Sequence, residues 1–319
     1  MATSLSILEE QGKSEMAKLT GNLLKDVEGG LSFSSALAKY KENFSRIYVQ
    51  LVRAGEVGGA LDVMLNRLAT TMEKEKDFRA KTKGAMIYPV IIMIAMVAVV
   101  IVMMVAVIPQ LTAMYEDFDA ELPAATKALM SISGFFVNYW WILVIVFGGA
   151  YFGIKAWGKT SKGEKALAGL YLKIPILGVL KQKTVLTDFT RTLSLLLSAG
   201  VSLLEALDIV ASAIDNAVYR DELKEASKQV EKGVTLSDAI ARYDNFPPIL
   251  YQMVSVGEET GKLDEILSKV SEYFEKESEY AIKNLTAAIE PIIMIVLGLG
   301  VGFIVIAIIM PIYSLTSQF

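Results

Sequence analysis

Two unbroken apolar runs dominate the pattern of hydrophobic and polar positions, Val90 to Ile108 and Ile292 to Met310, each 19 residues long. As helices they rise about 28 Å, close to the ~30 Å hydrocarbon core of a bilayer, so both read as transmembrane helices. Prolines bracket each run, Pro89 and Pro109 for the first, Pro291 and Pro311 for the second. A third run, Phe135 to Ile154, carries Tyr139, Trp140 and Trp141 where an interfacial aromatic belt belongs. Between the runs the pattern changes to amphipathic. Leu61, Met64, Leu65, Leu68 and Met72 fall at helical spacing, as do Leu263, Ile266, Leu267, Val270 and Phe274. Gly200 suits the left-handed end of one helix, and Ser202 with Glu205 forms a capping box for the next, as Thr235 and Asp238 can. No stretch alternates like a strand. The pattern predicts an all-α membrane protein with three transmembrane helices and water-facing helical bundles.

Charge then orients the chain. Lys74, Lys76, Arg79, Lys81 and Lys83 precede the first run, while Glu116, Asp117, Asp119 and Glu121 follow it against a lone Lys127. Seven lysines between Lys155 and Lys183 follow the second run, opposed by Glu164 alone. The positive-inside rule places the lysine-rich segments in the cytoplasm. The expected order is a first cytoplasmic unit (1–86), a span (87–108), an outward loop (109–134), a second span (135–157), a second cytoplasmic unit (158–290), a third span (291–313) and a short outward tail (314–319).

The chain also repeats itself at an offset of about 202 residues. "FSRIYVQLVRAGEVGGALDVML" from Phe44 answers "FPPILYQMVSVGEETGKLDEIL" from Phe246 with 10 identities in 22 positions. "GLSFSSALAKY" from Gly30 matches "GVTLSDAIARY" from Gly233, displaced by one further residue. The prolines Pro89 and Pro291 obey the same offset. Each copy is therefore a helical unit feeding a span, and two copies with so long a period do not make a solenoid.

Composition narrows the chemistry. Apolar residues make up 53% of the chain and charged residues 21%, with a net charge of -4, which argues against a nucleic-acid partner. Cysteine and histidine are absent, which removes disulfides, thiolate nucleophiles, zinc-thiolate sites and the commonest general base and metal ligand. No catalytic, cofactor-binding or metal-binding residue is expected. "GIKAWGKT", Gly153 to Thr160, matches the phosphate-loop spacing, but it follows an apolar helix rather than a strand, so its lysines read as positive-inside anchors. Glu290, just before Pro291, reads as an interfacial acid at the start of a span. Gly149/Gly153 and Gly298/Gly302 are small-residue pairs suited to helix packing.

The paired turns Gly55-Glu56-Val57-Gly58-Gly59 and Gly257-Glu258-Glu259-Thr260-Gly261 are the most informative local feature. Their glycines (Gly55, Gly59, Gly257, Gly261) suit a sharp helix-to-helix reversal, because glycine takes positive φ without strain. Asp62 and Asp264 fall in the first turn of the following helix, where a carboxylate complements the dipole. Two readings stand side by side. The acids Glu56, Asp62, Glu258, Glu259 and Asp264 either cap helices or present acidic knobs that dock a basic partner.

"FTRTLSLLLSAGVSLLEALDI" from Phe189, "KIPILG" from Lys173, "FPPILYQMVSVGEETGKLDEIL" from Phe246 and "YP" at Tyr88-Pro89 together resemble the GspF/PilC family, from about Gly30 to the end of the chain. The resemblance implies an inner-membrane platform protein of type IV pilus assembly or type II secretion, with two homologous cytoplasmic helical-bundle domains. It implies partners too: a hexameric secretion or pilus ATPase, pilins or pseudopilins, other inner-membrane assembly proteins, membrane lipid and further copies of the same chain. It implies no catalytic activity. One departure stands out. The second copy opens with a helix around Phe189 to Gly200 that the first copy lacks, so the first unit is expected to be shortened at its N-terminus. The rival classes are a small-molecule transporter, which the scarcity of midplane polar residues opposes, and a membrane-tethered NTPase, which rests on the phosphate-loop spacing alone.

Overall fold

The computed structural model describes residues 1–107, 124–175 and 177–316, and every regular element among them is helical. In chain order these are α1 (Ala2–Gln11), α2 (Ser14–Glu28), α3 (Phe33–Ala38), α4 (Arg46–Val57) and α5 (Leu61–Val102), which ends in a π-helical turn, Met103–Val107. There follow α6 (Ala124–Gly158), α7 (Ser161–Lys173), α8 (Leu177–Ser198), α9 (Leu203–Ala213), α10 (Ala217–Glu231), α11 (Leu236–Ile240), α12 (Pro248–Thr260) and α13 (Leu263–Thr316). The chain divides into two compact units. One holds Met1–Arg79 with Lys165–Tyr280, the other Ala80–Glu164 with Ala281–Phe319.

In the first unit the repeat is visible helix by helix. The series α1 to α4 and the start of α5 reappears as α9 to α12 and the start of α13. Helix α8 precedes the second copy of this series. Its apolar positions Leu186, Phe189, Leu193 and Leu196 recur at helical spacing and are fully buried. They join Leu207 and Ile209 of α9, Tyr219 and Leu223 of α10, Leu250 and Val254 of α12, and Leu267 and Phe274 of α13 in one apolar cluster. Phe246, which opens α12's approach, meets the rings of Phe189 and Tyr219 edge-on at 6.0 and 5.5 Å. The same cluster continues into the first copy through Leu23, Phe33, Leu37, Leu51, Val52 and Leu68, because α4 packs on both α8 and α9. The two copies thus share one core.

Matched positions of the two copies differ in burial where α8 packs. Alongside α13, α8 bonds Ser194 Oγ to the Asp264 carbonyl (2.7 Å), pairs Arg191 with Glu275 (2.7 Å) and Lys183 with Glu277 (3.3 Å), and sets Lys183 over the Phe274 ring. Phe274 is completely buried. Its counterpart in the first copy, Met72, is 56% exposed.

In the second unit, α6 packs against the π-helical turn that closes α5. Large apolar side chains such as Ile91, Ile94, Ile292, Ile295 and Leu299 face outward. Among the described residues α13 is long and apolar enough to cross a membrane, and α5 contributes a shorter apolar stretch, Val90–Ala106. Two details differ from the sequence pattern. The prolines Pro89 and Pro291 lie within α5 and α13, whose helices continue through them. Proline lacks an N–H but its φ is helical, so a long helix can carry it at the loss of one backbone hydrogen bond. Helix α6 begins at Ala124, inside the stretch 109–134 expected as an outward loop. Ile108, the acidic cluster up to Glu121 and the tail from Ser317 lie outside the described residues.

Candidate functional site

The two acidic turns are built alike. Gly59 and Gly261 take left-handed φ values of 66° and 67°. The amides after them, Ala60 and Lys262, reach back to the carbonyls of Gly55 and Gly257 at 2.9 and 3.0 Å, closing the ends of α4 and α12. Gly55 and Gly257 are not turn residues. Both sit inside their helices, buried, where the following helix crosses close by. A Cβ on Gly55 would lie 2.9 Å from Met64 Cγ, and one on Gly257 would lie 3.0 Å from both Cα and Cδ1 of Leu263. Close approach, rather than positive φ, requires glycine there. Gly200 does take positive φ (81°) at the end of α8.

The carboxylates of Glu56 and Glu258 point inward to the two shortest helices. Glu56 accepts the amides of Phe33 (2.6 Å) and Ser34 (3.0 Å) at the start of α3. Glu258 accepts those of Leu236 (2.5 Å) and Ser237 (3.1 Å) at the start of α11, and the Ser237 hydroxyl as well (2.6 Å). Ser32 and Thr235 add conventional caps, accepting from Ser35 and Asp238. Each short helix thus has its orphan amides met by an acid 21 to 23 residues further along the chain. A negative charge at that end also complements the helix dipole.

The remaining acids are differently placed. Glu259 is exposed on α12 and accepts only from the neighbouring Ser255 hydroxyl, 3.2 Å away, among the described residues. Asp62 is exposed in the first turn of α5, and Asp264 is half-buried in the first turn of α13. Glu290 and Pro291 are exposed on α13 within the second unit. The phosphate-loop spacing falls in helix: Gly153 to Gly158 belong to α6, and the Thr160 hydroxyl accepts the Gly163 amide to start α7. No strand precedes it and no amide cradle forms.

An open groove of about 700 Å³ runs between α5, α8 and α13 in the first unit. Its walls carry Arg67, Lys74, Arg191, Asp264, Glu272 and Glu275. Arg67 donates to the Ser198 hydroxyl (2.7 Å) and Arg191 is paired with Glu275, so opposite charges balance across it. Such a lining is hydrated rather than ligand-shaped, since small-molecule pockets are mostly apolar with few polar anchors. Nearby, Asp188 of α8 faces Glu75 and Arg79 of α5. Loss of water around its carboxyl lifts its pKa to about 6. The Glu75 charge adds to the rise, and Arg191, Lys181 and Arg79 oppose it.

Sequence reasoning missed a second polar network. The Gln182 amide and the Tyr219 hydroxyl both donate to the Asn245 carbonyl (3.0 and 3.1 Å), while Asn245 donates to Glu222 (2.6 Å). Burial raises the Glu222 pKa, the Asn245 bond and the Lys165 charge working against it. These residues are scattered over 64 positions, and nothing in local spacing announces them.

With this arrangement in view, comparison with known proteins is informative. Residues 1–109 and 189–311 match the family described as type II secretion system (T2SS), protein F. The chain belongs to this family. It is 39% identical over 314 residues to the type IV pilus assembly protein PilC of Thermus thermophilus, covering 98% of this chain and 77% of that protein. It is 37% identical over 320 residues to the type IV pilus assembly protein TapC of Aeromonas hydrophila (99% and 77%). A type II secretion system protein F from Xanthomonas campestris is 33% identical over 319 residues (98% and 78%). The two matched blocks of the family take in both acid-capped short helices and the apolar parts of α5 and α13.

Proposed function

We propose that this chain is a non-catalytic inner-membrane platform of type IV pilus assembly or type II secretion. In this reading it couples a cytoplasmic hexameric ATPase to the insertion of pilins or pseudopilins into a filament. The observation that carries the reading is a duplicated, acid-capped helical module that continues into an apolar helix, in a family whose named members belong to both systems. A module whose helix runs uninterrupted from a polar unit into an apolar one is suited to passing a displacement along its length. Three spans at 90–108, 135–154 and 292–310, with residues 1–86 and 158–290 in the cytoplasm, complete the proposed topology. The lysine bias and the outward-facing apolar side chains of α5 and α13 support it.

In this arrangement the ATPase faces the first unit, where Glu259 and Asp62 are open acids, and the pilins face the apolar helices. Other inner-membrane assembly proteins and further copies of the chain surround it. The test is a mild-detergent pulldown of the tagged chain from its native cells, read by mass spectrometry. Co-recovery of a hexameric secretion ATPase with pilins or pseudopilins is expected. Recovery of neither from well-folded protein would refute the platform reading. ATP turnover by the purified chain that disappears in Lys159→Ala would replace it with a nucleotide enzyme.

A further inference from the structure

Helix α7 and the elbow that follows it carry a surface that the platform reading does not use. Leu167, Leu170, Tyr171 and Ile174 recur at i, i+3, i+4 and i+7, so they form one stripe. Leu170 is 62% exposed, and Tyr171, Ile174 and Val179 are exposed with it. Leu172, on the other side of the helix, packs on the core of the first unit.

Contacts at both ends hold the stripe outward. Lys165 pairs with Asp221 of α10 at 2.8 Å, tying down the start of the helix. At the other end the Gly178 amide donates to the Ile174 carbonyl (2.8 Å). A Cβ on Gly178 would lie 2.1 Å from the Leu172 carbonyl oxygen, so the elbow closes only around glycine.

The surroundings are strongly basic. Residues 155–183 hold seven lysines against one glutamate, within a chain whose net charge is -4. Lys159, Lys162 and Lys173 form no ion pair among the described residues. A narrow apolar stripe flanked by unpaired lysines matches the chemistry of an anionic lipid surface, in which the apolar side chains enter the headgroup boundary and the ammonium groups meet phosphate. The stripe begins about ten residues after the end of α6, so a bilayer-anchored α6 would keep it near the surface at high effective concentration.

We propose that α7 and the Ile174–Pro175 elbow lie on the cytoplasmic leaflet, with Leu170, Tyr171 and Ile174 in the headgroup boundary and Lys173 on anionic phosphates. This rests on the proposed placement of α6 across the membrane. The absence of cysteine makes the test direct. Single variants Leu170→Cys, Ile174→Cys, Ile145→Cys in α6 and Lys224→Cys on α10 are spin-labelled in the full chain. They are reconstituted into vesicles of phosphatidylcholine with or without one quarter phosphatidylglycerol, and contact with oxygen and with a water-soluble nickel chelate is measured.

Labels at 170 and 174 are expected to be several-fold richer in oxygen than in nickel contact, as at 145 and unlike 224. Omitting phosphatidylglycerol, or adding Lys162→Glu with Lys173→Glu, should return them toward the value at 224. Water-like labels at 170 and 174 with a lipid-like label at 145 would overturn the proposal while leaving α6 in the membrane. A water-like label at 145 would overturn the topology and the proposal together. Equal burial without anionic lipid would overturn the assignment to an anionic surface. Shielding from both probes, in detergent as in vesicles and with spin–spin broadening, would show a second copy covering the stripe and overturn it too.

Discussion

Replacing Glu258 by alanine should loosen α11 and leave its counterpart α3 untouched. The carboxylate takes three hydrogen bonds, from the amides of Leu236 and Ser237 and from the Ser237 hydroxyl. Bonds to a charged partner contribute about 1.5–3 kcal/mol each when well buried. This site is half-buried, so water refills part of the loss, and a net cost of about 3 kcal/mol is expected. At 1.4 kcal/mol per factor of ten, local opening of α11 rises about a hundredfold. The matched change Glu56→Ala removes two bonds rather than three and should cost about 2 kcal/mol. Hydrogen exchange on the full chain in detergent, followed on peptides spanning 233–241 and 30–40, reads both helices in one sample. Glu258→Ala should accelerate the first peptide about a hundredfold and not the second, and Glu56→Ala the second about thirtyfold and not the first. Unchanged exchange at 233–241 would refute the view that this acid is a helix cap.

The other expectations follow the same geometry. Gly55→Ala and Gly257→Ala should each destabilise the first unit by about 1–3 kcal/mol through overpacking, and by similar amounts, because each new Cβ meets a backbone Cα, that of Leu61 at 3.1 Å and that of Leu263 at 3.0 Å; thermal melting by circular dichroism checks both. Gly178→Ala should be worse than either, since a carbonyl oxygen stands 2.1 Å from the new Cβ, and a melting temperature above that of Gly257→Ala would contradict it. Asp188, with its folded pKa raised to about 6 above the unfolded value, binds its proton more readily in the folded state. Its contribution therefore favours folding below about pH 4 and is lost as pH rises through 6. Part of the residue stays open to solvent, so the effect is screened to below about 1 kcal/mol. Asp188→Asn should raise stability at pH 7.5 and flatten this part of the pH profile. In the pulldown, Glu259→Lys should reduce ATPase recovery without altering exchange at 233–241, whereas equal recovery would leave Glu259 without a docking role.

The acidic turns also change what a docking experiment can mean. Charge reversal at Glu258 would perturb a helix cap and a surface at once, so lost binding by that variant has two causes. Glu259 has no such entanglement, because among the described residues its only bond is to a side chain one helical turn away.

The sequence by itself determined the helical class, the apolar runs, the internal repeat and the family. These are properties of periodicity and composition, and helices report them over a few residues at a time. What the sequence left open was which role each acid plays. Glu56 and Glu258 lie more than twenty residues from the amides they cap. The choice between cap and exposed knob depended on how α4 turns back on α3 and α12 on α11. The roles of Gly55 and Gly257 required the packing of consecutive helices as well, because a glycine needed for close approach and one needed for positive φ are identical in sequence. The pKa of Asp188 and the network around Asn245 are tertiary in the same sense. Both arise where helices distant in the chain exclude water from a polar group, and one-dimensional spacing carries no record of that.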